Sequence, residues 1–130
     1  MKKIIFLVLI ASQIVCACGN KNVSQGISSD GNPFFGDYGT PFETPSFDSI
    51  QNVHYLPAFR KGMAVQKEEL EAIIGSSEAP SFANTIEALE YSGALLTKVS
   101  DVFNNLNSSH TSDEIQSIAE EIAPELSKHA

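Results

Sequence analysis

Tryptophan is absent, cysteine occurs only twice, and basic residues are few: eight lysines and arginines against sixteen aspartates and glutamates in 130 residues. The shortage of positive charge excludes one class of partner at once. A formal charge of −8 repels phosphate backbones, so no nucleic-acid role is expected. The two cysteines, Cys16 and Cys18, stand two residues apart and cannot frame a disulfide scaffold. No apolar run reaches the roughly 20 residues that span a bilayer as a helix. There is no glycine-rich phosphate loop and no G-x-S-x-G elbow. Nor does the apolar share of 42% suggest a chain too polar to fold.

Metal chemistry is the next absence. A catalytic zinc helix of the H-E-x-x-H kind needs two histidines one turn apart with a glutamate between them. The three histidines are His54, His110 and His129, and the closest two are nineteen positions apart. The expectation is therefore no metal site and no cofactor in this stretch. The carboxylate pairs Glu68-Glu69 and Glu120-Glu121 are adjacent in sequence, so on a helix they diverge by about 100°. They read as solvated helix faces. No catalytic residue is assigned.

What is present begins with an export segment. Met1–Ala17 has a positive start (Lys2, Lys3), an apolar run from Ile4 to Ile10, and small residues near a cysteine. Val15-Cys16-Ala17-Cys18 resembles the bacterial lipoprotein box, with Ala17 before the cysteine that is lipidated. Residues 1–17 are thus expected to be a lipoprotein signal peptide and Cys18 the lipidation site. The other reading is ordinary signal-peptidase cleavage nearby. Acyl chains would anchor the mature chain to a membrane of the cell envelope or periplasm. The mature chain would hold six basic residues against sixteen acidic ones, a charge of −10. Residues 18–31, rich in glycine, serine and asparagine, read as a flexible tether.

From Asn32 to Ile50, Pro33, Pro41 and Pro45 punctuate a run of five rings: Phe34, Phe35, Tyr38, Phe42 and Phe47. Proline excludes a helix interior, so this segment is expected to lie extended with its rings docked on helices. Three amphipathic helices follow, giving an all-α fold. The first is expected from near Val53 to about Ile74, with Pro57 in its first turn and Gly75 ending it. Its apolar stripe is Leu56, Phe59, Met63, Leu70, Ile73 and Ile74. The second runs from Phe82 to about Leu106 behind a Ser81 N-cap, with Gly93 in mid-helix. Phe82, Ile86, Leu89, Leu96, Val99, Phe103 and Leu106 form its stripe. The third opens at Thr111 with Glu114 in a capping box, carries Ile115, Ile118, Ile122 and Leu126, and kinks at Pro124.

Several segments occur in an order and spacing that resemble a known family. They are Phe47-Asp48-Ser49-Ile50, then His54-Tyr55-Leu56-Pro57-Ala58-Phe59, then Phe82-Ala83-Asn84-Thr85-Ile86 with Ala88-Leu89-Glu90 and Ser92-Gly93. Val102-Phe103, Asn105-Leu106, Ala123-Pro124 and His129 continue the series. Residues 32–130 resemble the N-terminal helical region of the M3 family of zinc metallopeptidases, on its peptidyl-dipeptidase side. Ser46 and Ser81 depart from the family pattern, which has Pro and Thr there. The resemblance implies a lobe that walls a deep channel admitting short peptides, and a zinc-bearing catalytic lobe encoded further on. Full-length members remove C-terminal dipeptides from short peptides. The chain accordingly reads as the truncated front end of such an enzyme, inactive by itself. The other reading is a free-standing helical lipoprotein that binds peptides or a protein partner.

Overall fold

The fold is set by where the chain can and cannot continue a helix, as seen in a computed structural model that describes residues 31–130. The expected signal segment, Cys18, and all of the tether except its last residue lie outside the described residues. Among those residues there are three long helices and no strand, the all-α architecture expected.

Helix α1 spans Tyr55–Ile74 behind a single 3-10 turn at Asn52–His54. Pro57 sits in its first turn, where a missing N–H costs nothing, and Gly75 closes it by donating to the Glu71 carbonyl at 2.8 Å. The buried stripe is Tyr55, Ala58, Phe59 and Gly62, while Leu56 and Met63 flank it half-buried.

The expected second helix is broken. A π-helical turn at Phe82–Glu87 and a short helix α2 at Ala88–Tyr91 stop at Ser92, and α3 begins again at Ala94–Ser109. Ser81 caps the π turn as expected, in a reciprocal pair with Asn84. The break has a local cause. Ser92 turns extended and its hydroxyl donates to the Leu89 carbonyl at 2.8 Å, and Gly93 then takes a left-handed φ of 76°. Only glycine adopts that conformation without steric penalty. Its N–H donates to Glu69 Oε2 at 2.7 Å, and its carbonyl accepts from the Thr97 N–H at 2.9 Å to start α3.

Helix α4 spans Asp113–His129. Its N-cap is Ser112, whose hydroxyl accepts from the Ile115 N–H, and not Thr111, which pairs with Asn107. Glu114 reaches Asn52 instead of closing a box. The helix continues through Pro124, which lies exposed on its outer face, so the missing N–H falls on the solvent side.

The core lies where α1, α3 and α4 meet. Phe103 stands edge-on to both Tyr55 (centroids 5.0 Å apart) and Phe59 (5.4 Å), and Val99, Ile115 and Ile122 close around them. Gly62 permits the closest approach: a Cβ there would lie 2.9 Å from the Leu96 Cα. The proline-rich leader packs over this core through short 3-10 turns at Pro33–Phe35 and Pro41–Glu43. Phe34 is fully buried against Tyr55, while Phe35 and Tyr38 lie under Lys61 and Lys98. Docking stops there, for Phe42 is wholly in solvent and Phe47 half so, against the expectation for those two rings.

Candidate functional site

Several polar side chains that could carry chemistry are engaged in structural contacts, while the buried hydroxyls of Tyr38 and Tyr55 have no hydrogen-bond partner among the described residues. His54 is buried at the entry to α1, where its Nδ1 accepts from the Gln51 N–H at 3.0 Å. Burial holds its pKa below the ordinary imidazole value. Its backbone carbonyl accepts from the side-chain Nδ2 of buried Asn32 at 2.9 Å, and the side-chain Oδ1 of Asn32 accepts from the Phe34 N–H at 3.1 Å. Asn32 thus pins the leader to α1 across twenty-two residues. Sequence patterns gave no sign of it, since asparagine before proline reads as an ordinary turn residue.

His110 is exposed after α3, and His129 hydrogen-bonds Gln66 at 2.7 Å. The three histidines are dispersed, and no group of three His, Cys, Asp or Glu among the described residues could hold a metal ion. The donors among the described residues are thus too scattered to share a zinc ion. Arg60 is the densest polar contact. It forks onto Glu125 (2.7 Å) and Glu121 (2.8 Å), holding the Glu125 carboxyl below its usual range and joining α1 to α4. All three side chains are solvent-exposed, so this is a surface clasp of modest strength.

The feature without a structural partner lies at the far end of α1. Ile74 is 84% exposed, Phe82 73% and Tyr91 72%, with Ile86 and Leu89 each about half exposed. The second-helix stripe was expected to bury Phe82, Ile86 and Leu89, and it does not. The break at Ser92–Gly93 turns this segment away from the core, and no other described element covers it. Three shallow depressions of about 390, 300 and 270 Å³ lie here, the middle one sharing Tyr91 with the largest and Ile73 with the smallest. A contiguous apolar area at a π-helical turn marks an interaction surface more often than an accident of folding.

No protein-family model matches the chain. Individual proteins do. It is 43% identical to a dipeptidyl carboxypeptidase of Salmonella typhimurium over 95 residues, which is 73% of this chain. It is 44% identical over 99 residues to the dipeptidyl carboxypeptidase of Escherichia coli, and 28% identical over 91 residues to the oligopeptidase A of the same organism. These matches cover 14% of each dipeptidyl carboxypeptidase and 13% of oligopeptidase A, so the chain spans about a seventh of the relatives' length. Among these relatives the identity to the dipeptidyl carboxypeptidases is higher than that to oligopeptidase A, as the motif order implied. Both kinds of relative are M3 family peptidases, and over about three quarters of its length the chain is homologous to them, in keeping with a match to the family's N-terminal region.

Proposed function

We propose that this chain supplies the N-terminal helical wall of an exported peptidyl-dipeptidase and carries none of its catalytic groups. The observation that carries the reading is the identity of 43–44% to two dipeptidyl carboxypeptidases over about three quarters of the chain. Around it stands a helical scaffold in which Ser81, Ser112, Arg60 and Asn32 serve as caps, clasp and pin. In such an enzyme the helices would line the approach for short peptides, and the zinc and general base would come from the part of the enzyme that the match does not cover. Alone, the chain would bind no catalytic zinc and cleave nothing.

The N-terminal residues support export with a lipid anchor. A positive start, a short apolar run and Ala17 before Cys18 are the features a lipoprotein-processing system reads. Lipidation of Cys18 would place the helices at a membrane of the cell envelope.

The exposed patch at Phe82, Leu89 and Tyr91 favours a second reading as a free-standing lipoprotein that binds a protein. The DNA after the Ala130 codon separates the two. The peptidase reading expects an H-E-x-x-H coding sequence further on in one of the three frames. A downstream region with no such motif in any frame favours the binding module.

A further inference from the structure

The surface formed by the end of α1 and the Phe82–Tyr91 segment has a charge pattern as particular as its apolarity. Between Lys67 and Lys98 the sequence contains no lysine, arginine or histidine, and six glutamates. Four of those acids rim the apolar area, while Glu71 pairs with Lys67. Glu87 and Glu90 wall the depression beside Phe82, Glu78 the one beside Ile74, and Glu69 the one beside Ala88. Glu69 is engaged by the Gly93 N–H, but Glu78, Glu87 and Glu90 form no ion pair and no side-chain hydrogen bond among the described residues. An apolar centre with an unneutralised acidic rim asks for an occupant with apolar anchors and flanking positive charge.

We propose that this surface seats an amphipathic helical segment edged with lysine or arginine, belonging to the part of the peptidase polypeptide beyond the matched region. The inference rests on the peptidase reading above. Three observations favour this occupant. The relatives are about seven times longer than the matched stretch, so a covering segment is available in the same polypeptide. Phe82, Ile86 and Leu89 stand exposed within one short helical stretch, large apolar side chains available to enter the groove of another helix. A second copy of the chain is the wrong partner, because a two-fold contact would set the same glutamates against each other.

Two measurements test this. The first compares hydroxyl-radical labelling of the isolated chain with that of a chimera. The chimera is the Escherichia coli dipeptidyl carboxypeptidase with its matched segment replaced by residues 32–130. Phe82, Leu89 and Tyr91 should label strongly in the isolated chain and lose most of that labelling in the chimera, while Phe42 serves as the internal reference. A chimera that releases dipeptides yet leaves the three residues labelled overturns the docking surface and leaves the peptidase reading standing. A folded chimera that protects them but releases nothing does the reverse.

The second measurement keeps the surface testable should the chimera not fold. A synthetic helix with a leucine face edged by lysine is titrated onto the isolated chain, beside the same helix edged by glutamate. The lysine helix should bind and protect Tyr91, and Phe82→Ser or the pair Glu87→Lys and Glu90→Lys should each weaken it by about tenfold or more. Equal binding of the two helices, or protection confined to another face, overturns the proposal. Protection of Tyr91 that grows with the concentration of the chain alone also overturns it, in favour of self-association.

Discussion

Replacing Gly62 by alanine sets two effects of opposite sign against each other, and the structure says which prevails. In an exposed helix the change is favourable by about 1 kcal/mol, because alanine loses less backbone freedom than glycine. At this site the new Cβ would lie 2.9 Å from the Leu96 Cα and 3.0 Å from its backbone nitrogen. Those atoms belong to α3 itself, so no side chain can rotate away. The two helices must separate by roughly half an ångström, and a gap of that size forfeits about a quarter of each well-packed contact along the seam. The seam includes Ala58, Phe59, Val99 and Phe103, all buried. Overpacking of this kind costs about 1–3 kcal/mol, so Gly62→Ala should be destabilising by about 1 kcal/mol net. For a domain of this size that lowers the melting temperature by roughly 4–8 °C. Urea titration followed by far-ultraviolet ellipticity measures it. Ala64→Gly, at an exposed position of the same helix, calibrates the propensity contribution. Leu96→Ala should not rescue the variant, since the obstructing atoms are backbone. A Gly62→Ala chain more stable than the parent would refute the close crossing.

Gly93→Ala should cost about 1–2 kcal/mol for the left-handed backbone alone. Its further clash is with the Gln66 side chain, so in a Gln66→Ala background the penalty should shrink toward that backbone value; an unchanged penalty in urea titration would contradict the contact. Stability should fall as pH drops below about 6.5, because His54 has a lowered pKa when folded and the unfolded chain takes up the proton first. Above that pH both states are neutral and the contribution is fully present. Protonation at Nδ1 would also forfeit the bond from the Gln51 N–H. His54→Gln should flatten this part of a melting-temperature profile against pH, and a profile equally steep in the variant would contradict the assignment. Labelled palmitate should enter the expressed chain, with incorporation abolished by Cys18→Ala and retained in Cys16→Ala; equal labelling of both variants would refute the lipoprotein box.

The helices were legible in the sequence wherever a local signal coincided with a buried face. Pro57 and Gly75 bracketed α1 because one is tolerated only in a first turn and the other commonly ends a helix. Ser81 was readable as a cap from its place before an apolar run. The break at Gly93 was not, because apolar periodicity continues through it and a left-handed residue leaves no mark on the pattern. The stripe was also silent about burial. Phe82, Ile86 and Leu89 are spaced like core residues and lie exposed, since spacing shows that a face is apolar without showing what covers it. The one-residue error at the start of α4 has a plain source: Thr111 and Ser112 are both good caps, and Glu114 fitted a box with the first while the backbone chose the second. Asn32, which holds the leader in place, acts through two hydrogen bonds that depend on the packed partner, and neither propensity nor spacing encodes that.

On the proposed reading, catalytic capacity resides in the part of the peptidase that the match does not cover. Dipeptide release from an N-terminally blocked peptide, followed by mass spectrometry with zinc present, measures it for the isolated chain and for the chimera side by side. The isolated chain should release nothing at any zinc concentration, and the folded chimera should remove C-terminal dipeptides stepwise. Zinc-dependent, chelator-sensitive release by the isolated chain, or none by a chimera that folds, would contradict that reading.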